Sequence, residues 1–173
     1  MDGLEQWEPD KGTPQGAVIS PLLANIYLNE VDHEMSKMGY DMVRYADDFV
    51  ILCATEAEAT KALTEVKARI EGRGLSLHPE KTQIVDVRGK GGFDFLGYHF
   101  EGDTRWPRKK SMDKLKETIR DKTKRTSGSS MACIIEDVNR SLRGWFEYFQ
   151  HSNKKTFPKV DGWIRMRLRS ILR

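Results

Sequence analysis

Apolar residues recur at helical spacing through Leu22, Leu23, Ile26, Tyr27 and Val31, which predicts a helix with Pro21 in its first turn and an end near Gly39. Before it, residues 1–15 are polar and broken by Pro9, Gly12 and Pro14, the pattern of a loop. The period then shortens. Residues 41–53 set β-branched and aromatic side chains on both sides of Asp47-Asp48 and predict a hairpin with that pair at its tip. Helical spacing returns over residues 56–74 through Ala59, Leu63, Val66 and Ile70, stopped by Gly72 and Gly74. Two short strands are predicted around residues 75–77 and 83–87, joined by the turn from His78 to Thr82, and a further strand over 93–100. From Ser111 the pattern is helical, with Leu115 and Ile119 in period and a Gly/Ser loop at 126–130. Ile134, Ile135, Val138, Leu142, Trp145, Phe146 and Phe149 form the strongest helical face, and its three large aromatics are expected in the core. A break at 153–158 precedes a last helix with Val160, Ile164, Leu168 and Ile171 on one side.

Charge divides this pattern in two. Residues 1–103 hold 10 Lys/Arg against 19 Asp/Glu, a balance of −9, whereas residues 104–173 hold 19 against 7, a balance of +12. With the change of period, this predicts a boundary near residues 103–110 and a second unit suited to a polyanion. Cys53 and Cys133 stand far apart, without the spacing of a zinc site or a disulfide framework, and fit a reducing, cytoplasmic setting. The most apolar stretch, residues 17–28, is shorter than the ~20 residues a bilayer span needs, so no membrane partner is expected.

Adjacent carboxylates on a hairpin tip project toward one place and suit a hard divalent cation such as Mg²⁺. Asp-Asp in a turn also has a plain backbone explanation, because turns favour Asp. The neighbours decide between these readings. Tyr45-Ala46-Asp47-Asp48 resembles the catalytic box of reverse transcriptases, and residues 12–27 (GTPQGAVISPLLANIY) resemble the palm motif that precedes it. The turn at 74–82 resembles the next polymerase motif, and residues 93–98 (FDFLGY) resemble the primer-grip strand. Residues 135–149, 154–157 and 160–168 resemble the maturase-specific region of group II intron proteins, which separates this chain from retroviral enzymes.

The resemblance, to group II intron reverse transcriptase/maturases, covers residues 12–173 and carries expectations with it. The fold would be α+β: an incomplete reverse-transcriptase palm over 1–103, then an all-α three-helix thumb over 104–173. Asp47 and Asp48 would bind Mg²⁺ for two-metal nucleotidyl transfer, with Lys81 stabilising or protonating the leaving pyrophosphate. Gln15, Gly16, Tyr45 and Ala46 would lie beside nucleotide and template. Phe95, Leu96 and Gly97 would grip the primer, with Gly97 admitting its backbone. Arg140, Arg143, Lys154, Lys155, Arg165, Arg167 and Arg169 would contact RNA phosphates. The implied partners are group II intron RNA, an RNA template with a DNA primer, and dNTPs.

The pattern departs from the family before Gln15, where only fourteen residues stand and none matches the first palm motif with its metal-binding aspartate. The expectation is therefore a fragment that polymerises poorly by itself, needing that aspartate from an N-terminal half or a second copy. A non-catalytic RNA-binding module that assists intron folding and splicing is the alternative, and an inert remnant the third possibility.

Overall fold

The computed structural model describes residues 17–89, 91–126 and 128–172. It is α+β and divides into two compact units between Ile84 and Val85. In the first, α1 (Ser20–Lys37), β1 (Asp41–Tyr45), β2 (Asp48–Leu52) and α2 (Glu56–Gly72) follow in order. Pro21 stands in the first turn of α1, as predicted. The buried stripe of α1 is Leu28, Val31 and Met35, packed with Tyr40, Ala62, Val66 and Ile70. Of the predicted face only Val31 belongs to it; Leu22, Leu23, Ile26 and Tyr27 are exposed. The core lies under the C-terminal half of the helix, where positions 28, 31 and 35 meet α2 and the inner face of the hairpin.

Thr55 caps α2 by accepting from Glu58 N–H, and the Glu58 carboxylate accepts from Ala54 N–H in return, a near relative of the capping box. Ion pairs clamp α1 to α2: Arg73 reaches Glu30 and Glu34 at 3.2 and 2.9 Å, and Arg69 reaches Glu34 at 3.2 Å. The strands expected at 75–77 and 83–87 do not form. Leu77 packs against the first core as irregular chain instead, and no strand among the described residues pairs with it.

The second unit holds a three-stranded antiparallel sheet, β3 (Phe93–Phe95), β4 (Tyr98–Glu101) and β5 (Thr104–Pro107), followed by α3 (Lys109–Lys122), α4 (Met131–Phe149) and α5 (Thr156–Ile171). The single strand expected over 93–100 is thus a hairpin, folded at Leu96-Gly97 with Phe95 opposite Tyr98. β5 was not predicted; it pairs Glu101 with Thr104 through a second two-residue turn. The change of period expected at 103–110 falls where β5 gives way to α3, inside this unit. The helical core is Leu115, Ile119, Ile134, Val138, Val160 and Ile164. Phe149 is buried as expected, but Phe146 is 49% exposed, edge-on to Phe157. It stands on the flank of the stripe through Ile134, Val138 and Phe149 rather than within it. No helix of the described residues is long and apolar enough to cross a membrane.

The Arg73 guanidinium, hydrogen-bonded to Glu34, holds that carboxyl below its ordinary value of 4.5 against the opposing effect of desolvation. A depressed carboxyl contributes stability above its unfolded pKa and loses it as pH falls through the folded value. Thermal melts of the wild type should therefore drop as pH falls below about 4.5. Glu34→Gln should melt lower at neutral pH with a flatter acid limb; an unchanged limb would contradict this role.

Candidate active site and nucleic-acid interface

β1 and β2 pair from Asp41 opposite Leu52 to Tyr45 opposite Asp48, so Ala46 and Asp47 alone make the turn. Ala46 has φ +55°. A non-glycine residue in that region costs on the order of 1–3 kcal/mol and persists where its surroundings over-determine it. Strand alternation places Met42, Arg44, Phe49 and Ile51 toward the helices, while Val43 and Tyr45 face outward. The Arg44 guanidinium donates to both Asp32 carboxylate oxygens, to Asn25 Oδ1 at 2.9 Å and to the Ala46 carbonyl at 2.8 Å. Its hydrogen bond to Asp32 raises its pKa, against desolvation. Asp47 and Asp48 are exposed, and neither carboxylate has a hydrogen bond or ion pair among the described residues.

No group of three or more metal-ligating side chains occurs among the described residues. Two free, adjacent carboxylates nevertheless fit Mg²⁺, which commonly takes one or two protein carboxylates and completes its shell with substrate phosphates and water. Lys81 is exposed in the turn where its own N–H and that of Thr82 donate to the His78 carbonyl at 3.2 and 3.0 Å. Gln15 and Gly16 lie outside the described residues.

The β3–β4 turn has positive φ at both positions, +46° at Leu96 and +81° at Gly97, the signature of a type I′ turn. Its carbonyls are captured from outside the hairpin. Leu96 accepts from the Tyr148 hydroxyl at 2.6 Å, and Gly97 accepts from Arg108 N–H at 2.9 Å and Ser111 Oγ at 3.1 Å. The Tyr98 hydroxyl donates to the Tyr148 carbonyl, and desolvation raises the Tyr98 pKa. A Cβ at Gly97 would point at Ser111 and at the Phe149 and Tyr148 rings, 3.4–3.7 Å away. That side of the glycine is filled by helix α4, and its φ is what calls for glycine.

The basic residues separate by job. Arg143, Lys154, Lys155 and Arg169 are exposed and make no ion pair among the described residues. Arg140 meets Glu136 and Asp137 at 3.7 and 3.6 Å, and Arg165 meets Asp161 at 2.8 Å, all on exposed helix surface where such pairs are weak. Arg167 turns inward: its Nε and Nη2 donate to Thr123 Oγ1 and O at the end of α3.

Residues 3–100 match the reverse transcriptase (RNA-dependent DNA polymerase) family. The chain belongs to that family. Residues 112–173 match the group II intron maturase-specific domain, which makes this a group II intron reverse transcriptase/maturase chain. Protein YkfC of Escherichia coli (strain K12) is 34% identical over 51% of this chain and 32% of its own length. The group II intron-encoded protein LtrA of Lactococcus lactis subsp. cremoris is 62% identical over 17% of this chain and 5% of its own. The Gag-Pro-Pol polyprotein of Mason-Pfizer monkey virus is 27% identical over 56% and 5% respectively. The matches span a third or less of these relatives.

Two further residues of the chain, Arg44 and Lys159, stand beside these groups and were not singled out by residue type. Arg44 carried a visible signal, a charge on the inward side of an alternating strand. Lys159 is exposed one turn after Lys155 and extends the outer face of α5 with Arg165 and Arg169. Arg167 could have been sorted the same way, since it falls within the arc of α5 marked by the core positions 160, 164, 168 and 171. The glycines give a paired test in denaturant melts. Gly97→Ala should destabilise by about 1–2 kcal/mol through its φ, whereas Gly144→Ala, with open space in the middle of α4, should stabilise by roughly 0.5–1 kcal/mol. The same sign at both sites would refute the conformational explanation.

Proposed function

We propose that this chain carries the metal-binding carboxylates of an RNA-directed DNA polymerase together with an RNA-binding surface for group II intron RNA. The observation that carries the catalytic part is the free Asp47–Asp48 pair on a tightly closed hairpin inside the reverse-transcriptase match. Mg²⁺ held there would supply Lewis-acid stabilisation of the attacking 3′-hydroxyl and the leaving pyrophosphate. The chain's own groups bind and orient. Gln15 and Gly16 would lie beside template and nucleotide, with Tyr45 and Ala46 flooring that site. Lys81 would donate a proton or charge to the pyrophosphate. Phe95, Leu96 and Gly97 would guide the primer on a turn braced by α4.

The RNA surface is read from Arg140, Arg143, Lys154, Lys155, Lys159, Arg165 and Arg169, all exposed on α4, the loop after it, and α5. Such cations contact phosphates and give affinity that falls steeply with salt without reading sequence. This surface also favours the second reading, an RNA-binding module that assists intron folding and splicing without catalysis of its own.

Two assays divide these readings. In primer extension on an RNA template with Mg²⁺, incorporation by the folded chain should disappear in Asp47→Asn; synthesis unchanged in that variant would contradict the assignment. A folded chain with no incorporation would leave RNA binding as its activity. In filter binding across a salt series, Lys154→Gln with Lys155→Gln should flatten the log–log slope by roughly 2, about one for each phosphate that is no longer neutralised. Arg167→Gln should leave the slope alone, and a flat wild-type response would contradict the RNA surface.

A further inference from the structure

We propose that Arg44 is a positioning residue for the carboxylate turn, tying the Ala46 carbonyl to helix α1 and so fixing the direction in which Asp47 and Asp48 project. The inference rests on the reading of those two residues as metal ligands. Ala46 at φ +55° is a state that a two-residue turn of ordinary residues would leave if nothing held it. The strand pairing closes the turn, and Arg44 ties it to the helix. Its Nη1 donates to the Ala46 carbonyl at 2.8 Å and to Asn25 at 2.9 Å, while Nε and Nη2 grip Asp32. Asn25 and Asp32 are seven residues apart, two turns along one face of α1, so the guanidinium spans that face and the turn together. The Arg44 side chain is 9% exposed and Asp32 33%, so the pair is shielded where a surface ion pair would not be.

The same contacts govern charge. Arg44 lies on the inward face of the hairpin and Asp48, opposite Tyr45, on the outward one, so the guanidinium meets Asp32 and not the turn carboxylates. With Asp32 bound in a fork, Arg44 is compensated, and the two carboxylates remain available. A lysine would keep the charge but lose the planar fork that reaches Asp32, Asn25 and Ala46 at once.

The test uses Mn²⁺ as the probe, its free concentration read by electron paramagnetic resonance on the full chain, each variant first shown by circular dichroism to be folded. Wild type should hold a Mn²⁺ site that Asp47→Asn removes. Arg44→Lys should weaken that site about 10–100-fold, the range for outer-shell partners of a metal site. Arg73→Gln, which breaks a comparable clamp between α1 and α2 away from the turn, should leave it unchanged. Adding Ala46→Gly to Arg44→Lys should recover part of the loss, because glycine takes positive φ without the Cβ penalty. A site removed by Asp47→Asn but unmoved in Arg44→Lys, or weakened equally by Arg73→Gln, overturns the role of Arg44 alone. A chain whose Mn²⁺ binding ignores Asp47→Asn overturns the carboxylate reading, and Arg44's role with it.

Discussion

Two hairpins in this chain close through two-residue turns that force a non-glycine residue to positive φ, Ala46 in one and Leu96 in the other. Such turns gain nothing from their own side chains, so the energy that keeps them closed comes from elsewhere in the fold. In the first unit it comes from the strand pairing and from Arg44, two residues before Ala46 on β1 and anchored on α1. In the second it comes from the end of α4 and the start of α3, through Tyr148, Ser111 and the Arg108 amide. Both turns lie in segments that resemble polymerase motifs. The helices are therefore more than packing for the hairpins; they hold the turn carbonyls in place and with them the direction of what the turns carry.

The guanidinium groups show how one residue type takes different roles according to position. Arg44 and Arg167 lie on inward faces and organise backbone carbonyls, at Ala46 and Thr123. Arg69 and Arg73 join two helices through carboxylates. Arg143, Arg165 and Arg169 point outward from helices whose opposite sides form the second core. Only the last group has the exposure that a phosphate backbone requires. The charge division at residues 103–104 does not coincide with the boundary between Ile84 and Val85. The free carboxylates Asp47 and Asp48 nevertheless lie in the first unit, and the exposed cations Arg143, Lys154, Lys155 and Arg169, unpaired among the described residues, in the second.

Much of this was readable in residue spacing. The first hairpin announced itself through β-branched and aromatic residues around Asp47-Asp48, and the helix of 56–72 through Val66 and Ile70 at a step of four. Which side of a helix faces the core was harder. Leu22, Leu23, Ile26 and Tyr27 are as apolar as Leu28 and Met35, and tertiary packing alone selects the latter. The hairpin at Leu96-Gly97 was hidden because leucine is not a residue that signals positive φ, and Tyr148, more than fifty residues later, supplies the bond that fixes it. Long-range hydrogen bonds of this kind, like Arg44 to Asn25 and Arg167 to Thr123, leave no local periodicity. The motif residues were legible by type and order, while the groups that position them became visible only in three dimensions.

The central claim is that a braced turn offers Asp47 and Asp48 to a divalent metal, and location tests it most directly. Mn²⁺ titrated into the isotopically labelled chain should broaden the amide resonances of residues 46–48 first, since paramagnetic relaxation falls off steeply with distance. Broadening that begins instead at the α1–α2 carboxylates Glu30, Glu34 and Glu65, or that shows no preferred centre, would contradict it.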